Sequence, residues 1–198
     1  MKEEFSFTFS SNGISIIPVN RKKEEKENEK IILFACKKYL KNQKNGILLI
    51  NYNKNKFTYD KNINYYFYNT GNFEVYCFCP ILLYKKEANK SMCQDIYYFL
   101  VGGFESNKKR GSIKLYKINY DKESLKDQIE YIQDIIYDHK YIHMFKGPIS
   151  SIIQSSKDGS ILITCWDGNV YLLDIDMEYY IKYDAQVKNK ELYEKFFF

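Results

Sequence analysis

The clearest pattern in the sequence is a set of short apolar runs separated by tight turns in its last third. Three runs rich in β-branched residues predict three antiparallel strands: Ile149–Gln154, Ile161–Trp166 and Val170–Ile175. Asp167-Gly168, between the last two, is typical of a two-residue hairpin. Because Val170–Ile175 is apolar at almost every position, we expect neighbouring elements to cover both faces of this sheet.

The last of these runs has two relatives upstream. Each has a glycine, then a β-branched residue, then a leucine two positions later: Gly46-Ile47-Leu48-Leu49, Gly111-Ser112-Ile113-Lys114-Leu115 and Gly168-Asn169-Val170-Tyr171-Leu172. The strand before each also matches, as Leu33 to Cys36, Leu100 to Gly103 and Leu162 to Cys165. Recurrence of a unit in this way indicates a repeat fold.

The repeats divide the chain into three blocks, approximately 5–69, 70–137 and 147–183, within a single domain covering 1–183. In block one the predicted strands are Phe5–Phe9 with Ile14–Val19, Ile31–Lys37, Gly46–Tyr52 and Ile63–Tyr68. In block two they are Phe73–Leu83, Ile96–Phe104, Ser112–Tyr120 and Ile129–Ile136. Tyr179–Tyr183 completes block three, and we expect residues 184–198 to form a tail with a capping helix.

Four antiparallel strands per block, repeated side by side, predict the blades of a β-propeller. The predicted fold is therefore all-β, a partial propeller with long loops between strands. Closed propellers typically have about four to eight blades, so three blades leave an uncovered face at each end. Three explanations stay open: the chain belongs to a larger propeller, it closes with another copy or partner, or its terminal segments cap it.

Residues 156–176, SKDGSILITCWDGNVYLLDID, resemble a WD40-type repeat, with Leu173-Asp174 in the place of the closing Trp-Asp pair. The Trp166-Asp167 pair lies one strand too early to be that signature, and the usual Gly-His dipeptide is absent. The resemblance implies a noncatalytic scaffold that binds other proteins through rim loops or an open blade face. Val101 to Leu115 also resembles the propellers of the damaged-DNA-binding and cleavage-factor family, which implies nucleic-acid association as the alternative.

Charge gives limited support to that alternative. The chain of 198 residues has 30 basic and 25 acidic residues, and the two signs are interspersed. A nucleic-acid binder usually concentrates its basic residues on one face. The best local patches, and the predicted partner or phosphate contacts, are Lys37, Lys38, Lys108, Lys109 and Arg110. A steep loss of affinity with salt would distinguish phosphate contact from protein binding.

No residue pattern nominates a catalytic, cofactor or metal site. The five cysteines lack Cys-x-x-Cys spacing and are predicted to be buried thiols, and the only imidazoles are those of His139 and His143. No phosphate loop or dinucleotide fingerprint is present. We therefore predict a non-enzyme without cofactor or membrane span, located inside the cell in the cytoplasm or nucleus.

Overall fold

The computed structural model of the protein describes residues 13–18, 29–39, 44–53, 65–81, 96–119, 122, 124–135, 145–155 and 160–173. The predicted strands Phe5–Phe9 and Tyr179–Tyr183 and the predicted tail 184–198 lie outside these ranges, as do His139 and His143. Within them the chain is all-β, with eleven strands and one short helix.

The strands form three antiparallel sheets, and in each sheet the strand order follows the chain. Sheet 1 contains β1 (Ile14–Pro18), β2 (Glu29–Tyr39), β3 (Lys44–Asn53) and β4 (Tyr65–Gly71). Sheet 2 contains β5 (Phe73–Pro80), β6 (Ile96–Glu105), β7 (Arg110–Asn119) and β8 (Ile129–Asp134), with helix α1 (Leu125–Gln128) before β8. Sheet 3 contains β9 (Ile149–Gln154), β10 (Ile161–Cys165) and β11 (Val170–Leu173).

The described strands fall into three sheets that correspond to the three predicted blocks, with β4 running to Gly71, two residues past the predicted boundary. The prediction of an all-β chain of antiparallel sheets is confirmed for the described residues, and in each sheet the strands that follow one another in the chain pair antiparallel. Sheet 3 has three strands within the described residues. None of the three sheets closes on itself into a barrel.

The sheets pack face to face in chain order. β5 lies against the strands of sheet 1, and β9 lies against β5, β6 and β7 of sheet 2. The first strand of each later sheet therefore packs on the preceding sheet. We call the face of a sheet that points toward the next sheet its forward face, and the opposite one its rear face.

Two apolar cores fill the spaces between the sheets. The first core lies between sheets 1 and 2 and includes Ile31, Leu33, Ala35, Ile47, Leu49, Phe73, Val75, Phe78, Phe99, Val101, Tyr116 and Ile118. The second core lies between sheets 2 and 3 and includes Cys77, Leu100, Ile113, Leu115, Ile149, Ile152, Ile161, Ile163, Cys165 and Leu173. Because successive residues of a strand point to opposite faces, sheet 2 contributes to both cores.

A glycine sets the distance between sheets 2 and 3. A Cβ atom on Gly102 of β6 would lie 2.6 Å from Sγ of Cys77 and 2.7 Å from Cγ2 of Ile149, closer than carbon atoms pack. Only a residue without a side chain lets β9 come this close.

The hairpin between β10 and β11 differs from the predicted two-residue turn. Its last ladder pair is Thr164 with Val170, and the Cys165 amide donates to the Asn169 carbonyl, which leaves a three-residue loop. Gly168 adopts φ +87°, as the predicted Asp-Gly turn requires. A type I turn followed by a left-handed glycine is the usual three-residue hairpin, and Asp-Gly fits it as well as the shorter loop.

Candidate functional site

The structure places the predicted basic residues on two different sheets. Lys37 and Lys38 lie near the end of β2 in sheet 1, but their side chains fall outside what the structure describes. Lys108 and Lys109 lie in the loop between β6 and β7 of sheet 2, and Arg110 begins β7. Each patch sits where the second strand of its sheet turns into the third.

A buried carboxylate pairs with the basic residues of the β6–β7 hairpin. Glu105, at the end of β6, is 5% exposed. Its Oε2 atom lies 2.8 Å from Nζ of Lys108 and 3.9 Å from Nε of Arg110. Its Oε1 atom accepts a hydrogen bond from Nζ of Lys114 at 2.9 Å. The carboxylate therefore offsets part of the positive charge that the sequence concentrates here.

Lys114 extends this network across sheet 2. Its ammonium group also donates to Oδ1 of Asp134 at 2.7 Å, and it lies 4.9 Å from the centre of the Phe73 ring. The hydroxyl of Tyr131 donates to the same Asp134 oxygen at 2.9 Å. The charged groups of this network and the rings of Phe73 and Tyr131 thus hold the hairpin against β8 and β5.

The charges of this network stabilise one another. Burial alone would raise the pKa of Glu105, but hydrogen bonds and positive charge from Lys108 and Lys114 hold that pKa below its usual value. Burial would lower the pKa of Lys114, but Asp134 and Glu105 hold it above its usual value. Both groups are therefore ionised at neutral pH, and the arrangement resembles a structural ion-pair network more than an acid–base site.

A second carboxylate closes the β10–β11 hairpin. Burial would raise the pKa of Asp167, but several backbone and side-chain hydrogen bonds together lower that pKa to about 2. One oxygen accepts from the Asn169 amide at 2.9 Å, and the other accepts from the Tyr171 hydroxyl at 2.8 Å and the Lys146 amide at 3.1 Å. Asp167 therefore ties the start of sheet 3 to its second hairpin, which is a structural role.

The cysteines behave as buried core thiols. Cys36, Cys77, Cys79 and Cys165 are all buried and free, as predicted for the part of the sequence that is described. Burial raises the pKa of Cys36 to about 11 and that of Cys77 to about 12. These thiols are protonated at neutral pH, so they are poor nucleophiles and poor metal ligands.

An exposed apolar surface covers the forward face of sheet 3. Its four members are Ile153 (58% exposed), Leu162 (40%), Val170 (64%) and Leu172 (69%). The register pairs Leu162 with Ile153 on one side and Leu172 on the other, so three of them form a continuous row across all three strands. We call these four residues the open face.

The equivalent positions in sheets 1 and 2 are buried. The glycine-led repeats align Leu162, Val170 and Leu172 with two sets of three: Leu33, Ile47 and Leu49 in sheet 1, and Leu100, Ile113 and Leu115 in sheet 2. All six are at most 2% exposed. The first set lies in the first core and the second set in the second core. The open face therefore has the chemistry of a surface that receives a following sheet.

This exposure corrects one expectation. The apolar runs of the third block predicted cover on both faces, but within the described residues only the rear face of sheet 3 is covered, by sheet 2. The apolar pattern is present in the sequence because these side chains are at positions equivalent to buried positions in sheets 1 and 2. It did not reveal that the forward face is exposed, since exposure depends on what lies beside the sheet.

The rear face of sheet 1 is also apolar, but its residues are buried or half-buried, unlike those of the open face. Cys36 and Leu48 are buried there, and Phe34, Ile50 and Phe67 pack around them and are half-buried. These residues alternate along their strands with members of the first core, so they lie on the opposite side of the sheet. We call these five residues the sheet 1 rear face.

Comparisons with known proteins give no family. No family model matches the chain, and no curated protein sequence or solved structure matches it significantly. Among the residues with described positions, no group of three or more His, Cys, Asp or Glu side chains is arranged to hold a metal ion. The described segments also contain no helix of the length and apolarity needed to span a membrane.

Proposed function

We propose that this protein is a noncatalytic interaction module, built as part of a WD40-like β-propeller, and that it associates with another protein through the open face. The observation that carries the proposal is the equivalence of positions between the three repeats. In sheets 1 and 2, the apolar residues at three equivalent positions of the forward face pack against the next sheet. In sheet 3, the residues at the same positions are apolar and exposed. Partner recognition is then sheet on sheet, with an apolar strand of the partner in the place that β5 or β9 takes within this chain.

The energetics favour this use of the surface. Full burial of a Val, Leu or Ile side chain stabilises by about 1.5–3 kcal/mol. Covering four side chains that are 40–69% exposed would therefore contribute on the order of 5 kcal/mol before the costs of association. A contiguous apolar patch of this kind typically marks a protein interaction site.

The alternative, phosphate contact by the basic residues, has less support from the geometry. Glu105 lies against Lys108 and close to Arg110, so the hairpin that contains both presents a smaller net charge than its sequence suggests. Lys37 and Lys38 belong to another sheet, so the two patches do not share one strand or hairpin. Nucleic acid association therefore ranks second to protein binding.

Site-specific photocrosslinking tests the proposed function. A photoreactive residue at position 172 is expected to form protein adducts in cells, whereas the same residue at the exposed position 126 of α1 is not. The protein in the adduct is identified, purified, and titrated against wild-type chain and against Ile153→Asp. Direct binding that Ile153→Asp abolishes supports the proposal. Equal adducts from both positions, or adducts to nucleic acid alone, contradict it.

A further inference from the structure

Thr164 of β10 lies beside the open face, on the same side of sheet 3. It is two residues from Leu162 on one strand, so the two side chains point in the same direction. Its ladder partner on β11 is Val170, a member of the open face. The threonine is half-buried, so part of its surface is accessible. A partner that covers the open face would therefore also meet Thr164.

The other two sheets have smaller residues at this position. Alignment of the second strands, Leu33 to Cys36, Leu100 to Gly103 and Leu162 to Cys165, places Ala35 and Gly102 where sheet 3 has its threonine. Ala35 is 1% exposed in the first core. A Cβ atom on Gly102 would lie 2.7 Å from Cγ2 of Ile149 and 2.9 Å from Cδ1 of Ile152. The first strand of sheet 3 therefore fills the space above this position of sheet 2.

The rest of the open face has the same height as the internal surfaces. Leu162 and Leu172 match leucines in both other sheets, and Val170 is one methyl group smaller than the isoleucines at its position. A strand packed on these residues would come as close as β9 comes to sheet 2. At that distance the threonine side chain would occupy the space that Ile149 and Ile152 fill in the internal contact, and close-packed interiors do not accommodate both.

The hydroxyl group of Thr164 does not prevent burial. Its Oγ1 atom lies 2.8 Å from Oγ of Ser150, which also donates to the Thr164 carbonyl at 3.1 Å. Because the threonine hydroxyl has a hydrogen-bond partner within the chain, an apolar strand can cover it without leaving an unsatisfied polar group. The threonine therefore changes the shape of the surface while leaving it suitable for an apolar partner.

We propose that Thr164 determines which partners fit the open face, and that the docking strand of the partner has glycine, alanine or serine opposite it. This inference rests on the proposed function, because it concerns the same surface. In the contact between sheets 2 and 3, the small residue belongs to the receiving sheet and the large ones to the docking strand. At the open face this relation is reversed. A strand with large aliphatic residues at this point, such as β9, is excluded by steric overlap.

Binding of Thr164 variants to the purified protein that forms the adduct at position 172 tests this inference. Thr164→Leu is expected to raise the dissociation constant at least about fivefold, because the contact becomes overpacked. Thr164→Ala is expected to raise it at least about twofold, because a gap opens against the small residue. If the docking strand had a large residue there, Thr164→Ala would instead lower the dissociation constant.

Thr70→Ala is the matched control. Thr70 is also a half-buried threonine, its hydroxyl donates to the Phe73 carbonyl at 2.7 Å, and it lies in sheet 1. This variant should bind as the wild type does. Circular dichroism and urea unfolding check that every variant is folded before it is titrated.

A substitution in the partner provides a second, independent measurement. The peptide of the partner in the position 172 adduct locates its docking strand, and the small residue there is replaced by valine. This replacement should weaken binding to the wild-type chain, and Thr164→Ala should recover part of the loss. A double-mutant cycle of this kind reports direct contact between the two positions.

Each outcome decides the inference. Weaker binding by both Thr164 variants, together with recovery in the cycle, supports it. Tighter binding by Thr164→Ala, unchanged binding by Thr164→Leu, or a docking strand without a glycine, alanine or serine overturns it and leaves the proposed function intact. If position 172 forms no adduct with another protein, because a second copy or residues 174–198 cover it, the proposed function and this inference are both overturned.

Discussion

Two leucines at equivalent positions of the repeat should respond very differently to the same substitution. Leu115 in β7 is fully buried in the second core, whereas Leu172 in β11 is 69% exposed on the open face. Both are replaced by alanine, so the deleted atoms are the same. Any difference in the free energy of unfolding then reports whether a neighbouring sheet covers the position.

The expected magnitudes follow from burial. Leu115→Ala removes buried carbon atoms and leaves a cavity between sheets 2 and 3, which typically costs about 2–5 kcal/mol. At Leu172 less than a third of the side chain is removed from water, so the alanine variant should lose under about 1 kcal/mol in a single chain. The two variants should therefore differ by at least about 1 kcal/mol.

Urea unfolding followed by circular dichroism and by the fluorescence of the single tryptophan, Trp166, measures both variants. A series of protein concentrations extrapolated to high dilution removes the contribution of association. A cost at Leu172 equal to that at Leu115 in this limit would mean that the same chain covers the open face. A cost under about 1 kcal/mol at Leu115 would mean that sheets 2 and 3 do not share a core.

Three further predictions concern the packing and the charged groups. Gly102→Val is expected to lower the free energy of unfolding in urea by at least about 1–3 kcal/mol, because the valine side chain would overlap Cys77 and Ile149. Unchanged stability would contradict the close approach of β9. Glu105→Gln should lower the free energy of unfolding by about 1–3 kcal/mol, because the neutral amide no longer pairs with the ammonium groups of Lys108 and Lys114. An unaltered unfolding curve would show that the ion-pair network does not contribute to stability. Asp167 has a folded pKa of about 2 against an ordinary 3.8, so its stabilisation is fully present above about pH 4 and is lost progressively as the pH falls through 2. The stability difference between wild type and Asp167→Asn should shrink over that range, and a difference at pH 2 as large as that at pH 5 would contradict it.

The sequence predicted the sheets well because their strands follow local rules. Glycine ahead of β-branched runs, and turn residues between them, place β3, β7 and β11 within one or two residues of the observed bounds. The alternation of inward positions also assigned Leu33, Leu100 and their partners to equivalent places. These features depend on residues that are close in sequence, so they can be predicted without knowledge of the tertiary structure.

The charged network was harder to predict because its members are distant in sequence. Glu105 and Lys114 lie nine residues apart, and Asp134 approaches only when β8 pairs with β7. Lys108 and Arg110 were predicted as partner contacts from their local charge alone. Burial of an acidic residue between them could not be inferred, since a glutamate at a hairpin end is ordinarily solvated.

The open face shows the same limit. The sequence predicted that a three-sheet stack has uncovered end faces, and it supplied the repeat alignment from which their residues follow. The apolar residues next to Leu162 and Leu172 in the sequence also predicted that these two leucines lie in the interior. The two predictions agree with each other if a further sheet covers the open face, as the proposed function requires.

Thiol labelling at position 172 tests the account of the open face most directly. In Leu172→Cys the new thiol lies at a position that is 69% exposed, whereas the native cysteines of the described residues are buried. With Cys93 replaced by serine, the thiol at position 172 should react rapidly in the purified chain and should be protected when the partner protein is bound. A thiol at position 172 that does not react in the purified chain, or that reacts equally fast with the partner bound, would contradict the account.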